Sequence, residues 1–312
     1  MAVMQHTIAR KVQFRGVGLH SGAAVRLTIM PAPANHGIVF RRSDLNNALI
    51  PARWDNVTPS QLCTLLVNED GVSVSTVEHV MAALAGVGIN NAVIEVDGAE
   101  VPILDGSSAP FVKAILEVGL RAQLDGKLRA IRVLKPVEVR KGEAFARLSP
   151  ADQFEMHFDI DFTDAAIGHQ EKQLEMVNGA FVEELMDSRT FCRLSDVEQM
   201  QQSGLALGGT FMNAVVIDGD RILSPGGLRH QDEAVRHKML DAVGDLALAG
   251  APLLARYTGH RAGHAMTNAL LRALFAQPDA WEWADPGQAQ LRHLPGVHTI
   301  AVPSHAQQLA VA

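Results

Sequence analysis

The apolar period of this chain switches repeatedly between two and about 3.6, and that switching constrains the fold more than any single residue. Residues 11–14 (KVQF) and 24–29 (AVRLTI) alternate, and Gly16, Gly18, Gly22 and the Pro31-Ala-Pro33 turn break them, which predicts antiparallel strands. A helical period follows in Val77, Val80, Met81 and Leu84, opening at Ser75-Thr-Val-Glu78 and closing at Gly86. Residues 92–96 and 100–104 flank Asp97-Gly98, which predicts a hairpin. A second helix is predicted over 111–118, and the polar segment 121–126 reads as a linker.

The second half repeats the style. Strands are predicted at 131–133, 137–139 and 154–162, and helices at 179–187, 232–250 and 264–275. Residues 91–98 (NAVIEVDG) are echoed by 213–219 (NAVVIDG), a strand running into an Asp-Gly turn in both cases. If the echo is real, these observations predict an α+β chain of two similarly built halves rich in antiparallel strands, residues 1–124 and 127–303, followed by a tail at 304–312.

Composition excludes several classes. About half of the 312 residues are apolar, enough for a substantial core, yet no run approaches the roughly 18 apolar residues of a spanning helix. The first residues lack the apolar core of a signal peptide, and two cysteines, Cys63 and Cys192, are too few for a disulfide framework. A cytoplasmic protein is expected. The net charge of -7 argues against nucleic acid as a partner.

Chemistry concentrates in a few segments. In VRHKMLDAVGD (235–245), Val235, Met239, Ala242 and Val243 share one helix arc, while His237, Lys238, Asp241 and Asp245 share the other. That polar arc is either a solvated ion-pair ladder or a pair of metal ligands one turn apart, in which case a third ligand comes from elsewhere. The segment Ser75-Thr-Val-Glu-His79 offers one in His79, although Ser-x-x-Glu is also the pattern of a capping box. Ala83 stands where a second histidine would complete H-E-x-x-H, so that metalloprotease motif is absent. His260 and His264 lie in a glycine-flanked loop at a helix entrance.

Taken together, GVGLHSG (16–22), STVEHVMAALAGVGINN (75–91), PILDGSSAPFV (102–112), SRTF (188–191), GLALGGTF (204–211), VRHKMLDAVGDL (235–246) and GHAMTNALL (263–271) resemble the LpxC family, the zinc-dependent UDP-3-O-acyl-N-acetylglucosamine deacetylases of lipid A biosynthesis. The resemblance spans nearly the whole chain. It implies two α+β domains with the active site between their helical layers, and one catalytic Zn2+ held by His79, His237 and Asp241, a donor set that Fe2+ also suits. It implies Glu78 as general base, Thr190 as oxyanion donor, His264 as general acid paired with Asp245, and Lys238 on substrate oxygens. Phe162 would stack on uracil and Arg261 would meet the diphosphate. Lys141 would replace a family lysine that aligns with Ala144. Phe191, Leu194, Ala206, Gly209 and Val216 would line an acyl passage, with Cys192 and Arg193 as departures at its mouth.

The expected partner is therefore an acylated UDP-N-acetylglucosamine, bound by a monomer with no membrane span; an amphiphilic substrate leaves room for transient membrane contact. Two other readings stay open: a zinc hydrolase of a different amide, and a non-catalytic protein whose halves are clipped together by metal.

Overall fold

The structure is a computed structural model and describes residues 3–297; the expected tail at 304–312 lies outside them. Six helices are described: α1 (Glu78–Val87), α2 (Ala109–Val118), α3 (Ala180–Glu184), α4 (Leu194–Gln202), α5 (Glu233–Ala247) and α6 (His264–Phe275). In the N-terminal half a five-stranded sheet runs in the order Val12–Val17, Ala24–Pro31, Ala92–Val96, Ile38–Arg42, Ala48–Pro51. In the C-terminal half Leu253–His260 is the hub of a seven-stranded sheet, pairing antiparallel with Ala144–Pro150 and parallel with Phe154–Asp161 and Ala130–Val133. The chain is thus α+β, with mainly antiparallel sheets in two sheet-plus-helix halves.

The helices meet at the seam between the halves. α1 packs on α5, α5 on α6, and α5 and α6 both rest on strands of the C-terminal sheet. Val235, Met239, Ala242, Val243 and Leu246 of α5 are buried as the helical period requires. His237, Asp241 and Asp245 on the other arc are buried too, so the solvated ion-pair ladder is excluded. Gly244 explains how α1 comes so near: a Cβ there would lie 2.0 Å from the Glu78 carbonyl oxygen. Only glycine lets the two helices cross at the turn that carries Glu78.

Two local expectations gave way to longer-range pairing. Ala92–Val96 forms no hairpin with 100–104, because both its edges are already taken, by Ala24–Pro31 and by Ile38–Arg42. Asp97 Oδ1 accepts the Arg26 N–H at 2.6 Å, and Glu100 and Pro102 make only isolated bridges, to Ser75 and Gly18. The later echo is a hairpin, Val215–Asp218 against Arg221–Ile222. The supposed linker lies inside a strand, Leu120–Lys127, paired antiparallel with Met4–Ile8. Its polarity reflects an exposed two-stranded ribbon, whose buried Gln123 donates to the Ala32 carbonyl at 2.9 Å.

Candidate active site

The entrance to α1 is not a capping box. Ser75 belongs to the strand Ser73–Ser75 and its hydroxyl donates to the Ala99 carbonyl, while Thr76 turns the chain at φ 58°. The helix starts at Glu78 without a side-chain cap, and Glu78 Oε2 accepts the backbone N–H of Thr64 at 3.0 Å. Glu78 is therefore free of a capping duty and is aimed into the seam, with 3% of its surface exposed.

His79, next along α1, meets His237 and Asp241 from α5. Asp241 Oδ1 lies 3.5 Å from His79 Nε2 and 3.3 Å from His237 Nε2, and one ligand atom from each residue falls within 4.8 Å of the others. The two imidazole rings stand nearly perpendicular, their centroids 5.0 Å apart. His237 Nδ1 is engaged by the Ser188 carbonyl at 3.0 Å, which leaves Nε2 for the cluster. Asp241 Oδ1 is buried and has no hydrogen-bond partner, a costly arrangement unless a cation completes it. Two imidazole nitrogens and one carboxylate oxygen are the donor set of a catalytic metal site. Among the described residues this is the only such group.

The electrostatics match that use. Burial pulls the His237 imidazole down to about 4 against the pull of Asp241, so it is neutral and able to ligate. Burial pushes the Asp241 carboxyl up, but His237, His264 and Lys238 outweigh it and hold the group well below the usual range. Lys238 Nζ stands 3.4 Å from Asp241 Oδ2. Glu78 is raised, by burial first, then by Asp245 and Asp241, against His264 and His79.

His264, the first residue of α6, lies across from Glu78, its Nε2 3.8 Å from both Glu78 Oε1 and Asp241 Oδ2. Its Nδ1 is 2.9 Å from Asp245 Oδ2. Burial lowers this imidazole, but Asp245, Glu78 and Asp241 together prevail and push it up to about 10. His260, the other histidine of that loop, is directed elsewhere: it lies 2.7 Å from Asp159 and stacks on Phe145.

Two residues that pattern reading passed over complete the site. Thr64 donates its hydroxyl to Asp245 Oδ1 at 2.6 Å as well as its N–H to Glu78, and Asn268 Nδ2 donates to the same hydroxyl. Glu233 fixes the SRTF segment: its carboxylate accepts Arg189 Nε at 2.8 Å and Arg189 N at 3.0 Å. A glutamate at the first position of α5 reads locally as a favourable helix-dipole charge, which hid this longer-range duty.

Thr190 follows Arg189, its N–H on the Gly106 carbonyl and its own carbonyl accepting from Val215. Phe191–Arg193 pairs parallel with Val215–Asp218, which sets Phe191 beside Val215 and Cys192 beside Val216, so that Phe191 and Val216 stand on opposite faces of this small sheet; α4 begins next to it at Leu194. The Phe191 ring contacts Phe162 edge-on at 5.5 Å and His237 at 6.3 Å, so Phe191 abuts the His-His-Asp cluster. Ala206 and Gly209 belong to a loop lying on residues 18–22 of the other half. Arg193 is drawn aside by Asp164 at 2.6 Å, and Cys192 is half-buried, its thiol pushed up to about 11 by burial and Asp196. Arg261 is engaged by Asp161 and, at 3.0 Å, by Glu143, while Lys141 is exposed. A cavity of about 620 Å3 opens at the other ends of α1 and α5 between Leu84, Leu246 and Trp281, away from His79, His237 and Asp241.

A buried His-His-Asp donor set, flanked on one side by a carboxylate and on the other by a carboxylate-backed imidazole, defines a metal-assisted hydrolase. The sequence model described as "LpxC: UDP-3-O-acyl N-acetylglycosamine deacetylase" matches residues 5–276, and the chain belongs to that family. It is 49% identical over 284 residues to a UDP-3-O-acyl-N-acetylglucosamine deacetylase of Idiomarina loihiensis, covering 90% of this chain and 92% of the relative. A Shewanella protein and a Shewanella baltica protein of the same name are each 47% identical over 283 residues, with the same coverage.

Proposed function

We propose that the chain hydrolyses the N-acetyl group of UDP-3-O-(3-hydroxyacyl)-N-acetylglucosamine, releasing acetate and the free amine as a step of lipid A biosynthesis. The observation that carries this reading is the convergence of His79, His237 and Asp241 between Glu78 and His264, in a chain of this family. The orphaned Asp241 Oδ1 and the N/N/O donor set fit Zn2+, with Fe2+ as the other ion such a set accepts. When bound, the ion supplies Lewis acidity to the acetyl carbonyl and to water.

The chain's own groups do the rest. Glu78 takes a proton from the attacking water as its oxygen bonds to the acetyl carbon. Thr190 donates its hydroxyl to the oxyanion. His264, held protonated by Asp245, gives its proton to the sugar nitrogen as the C–N bond breaks. Lys238 neutralises substrate oxygens. We assign uracil to Phe162, the diphosphate to Arg261, whose guanidinium must exchange Glu143 or Asp161 for phosphate, and the acyl chain to Phe191, Leu194, Ala206, Gly209 and Val216.

In this reading residues 1–124 and 127–303 are two domains that share one site, so a monomer carries every group the reaction needs. A UDP-sugar substrate supports a cytoplasmic location for the enzyme. No helix of the described residues is long and apolar enough to cross a membrane. The test is incubation of the purified, zinc-loaded protein with the acylated UDP-sugar: stoichiometric acetate and free amine are expected, and an intact substrate contradicts the assignment. An enzyme for a different amide would instead release acetate or another acid only from that amide.

A further inference from the structure

Glu100 is 4% exposed, yet no cation is among its hydrogen-bond partners. Its carboxylate is satisfied by four donors: the backbone N–H groups of His20 and Ser21, both at 2.8 Å, the Ser21 hydroxyl at 2.6 Å and the Thr76 hydroxyl at 3.0 Å. A buried carboxylate held this way fixes whatever supplies the donors, because losing any one of them leaves charge uncompensated. The donors belong to two separate segments, residues 20–21 and Thr76.

Each segment leads to a different side of the site. Thr76 lies two residues before Glu78, and its left-handed φ of 58° decides where α1 begins. The 18–21 loop carries the wall of the acyl passage: the carbonyls of Leu19 and His20 accept the N–H groups of Gly208 and Leu207, and His20 Nδ1 accepts that of Ala206 at 3.4 Å. The approach is so close that a Cβ on Gly208 would lie 2.2 Å from the Gly18 carbonyl oxygen. Ala206 in this wall is also left-handed, at φ 55°. Such backbone conformations in residues other than glycine persist only where the surroundings over-determine them. Here the surroundings are the two loops and, behind them, one carboxylate.

We propose that Glu100 is a positioning residue that sets the passage wall against the first turn of α1, and so determines which acyl-chain lengths place the acetyl group correctly. The inference rests on the deacetylase reading above. Glu100→Gln keeps the shape but turns an N–H2 group on the backbone N–H of His20 or Ser21, which can only donate. The experiment compares kcat/KM of the zinc-loaded wild type, Glu100→Gln and Ser21→Ala on synthetic 3-O-acyl UDP-N-acetylglucosamines of one long and one short chain, with zinc content and melting temperature measured on the same samples. In Glu100→Gln the long-to-short ratio is expected to collapse by roughly 10-fold, the order of one hydrogen bond to a charged group. Ser21→Ala, which deletes a single donor, moves it the same way and less. A folded, zinc-loaded Glu100→Gln with the wild-type ratio overturns the proposal, even if its rate falls on both substrates, because uniform loss is what mere structural damage produces. Should Glu100→Gln fail to fold, an unchanged ratio in Ser21→Ala overturns it equally. A wild type inactive on both substrates is a different result: it removes the deacetylase reading, and this inference with it.

Discussion

His264 Nδ1 lies 2.9 Å from Asp245 Oδ2, one helical turn beyond Asp241 on the same helix. α5 therefore serves two purposes with successive carboxylates. Asp241 faces His79 and His237, whereas Asp245 faces the imidazole of α6 and is itself fixed by Thr64.

That pairing predicts a pH effect. A carboxylate beside an imidazole stabilises the protonated ring, so replacing Asp245 by Asn lowers the pH at which His264 loses its proton. The alkaline limb of the kcat/KM profile should move down by roughly one to three pH units, the usual effect of a neighbouring opposite charge. An alkaline limb that stays in place would show that another group is the acid.

Glu78→Gln should keep its bound metal and its fold, since the carboxamide oxygen still accepts the Thr64 N–H. Its kcat should fall by roughly 10²- to 10⁴-fold, the range for a lost general base. If turnover persisted, Glu78 would have only a structural duty.

His237→Ala removes a ligand whose other nitrogen is already held by the Ser188 carbonyl. Metal analysis after dialysis should find well under one ion per chain. Full occupancy in this variant would refute the assignment of the three ligands.

Glu233→Gln addresses the frame of the site. Removing one partner of the buried pair with Arg189 should cost about 3–5 kcal/mol in denaturant unfolding near neutral pH. Burial raises the Glu233 carboxyl, but Arg189 and Arg229 hold it below its ordinary value of 4.5. Its contribution is therefore present above that pH and is lost as pH falls through the lower, folded value. The gap between wild type and variant should narrow on acidification below about 4.5. A constant gap would mean that the charge of Glu233 is not what stabilises the fold.

Part of this arrangement is legible in the sequence itself. Gly263 ahead of a clean helical period marks the start of α6, and the polar arc of α5 has the spacing of two ligands. Some patterns whose physics is local mislead: Ser75 and Glu78 spell a capping box, and Asp97-Gly98 a hairpin, but strand pairing claims both segments, Ser75 with Leu65 and Ala92–Val96 with Ala24–Pro31. What could not be read was contact across the seam. Thr64 is 181 residues from the Asp245 it holds, and Glu100 has no neighbour in sequence that announces a buried carboxylate. Closure of the two halves gives Thr64 its role, and the packing of the 18–21 loop against Thr76 within the N-terminal half gives Glu100 its own.

The central claim is that His79, His237 and Asp241 hold the ion on which deacetylation depends. The most direct measurement is acetate release from the acylated UDP-sugar by one preparation before chelation, after chelation and after stoichiometric Zn2+ is returned. Activity that disappears with the metal and returns with about one ion per chain is the predicted result. Acetate release that survives complete removal of metal would contradict it.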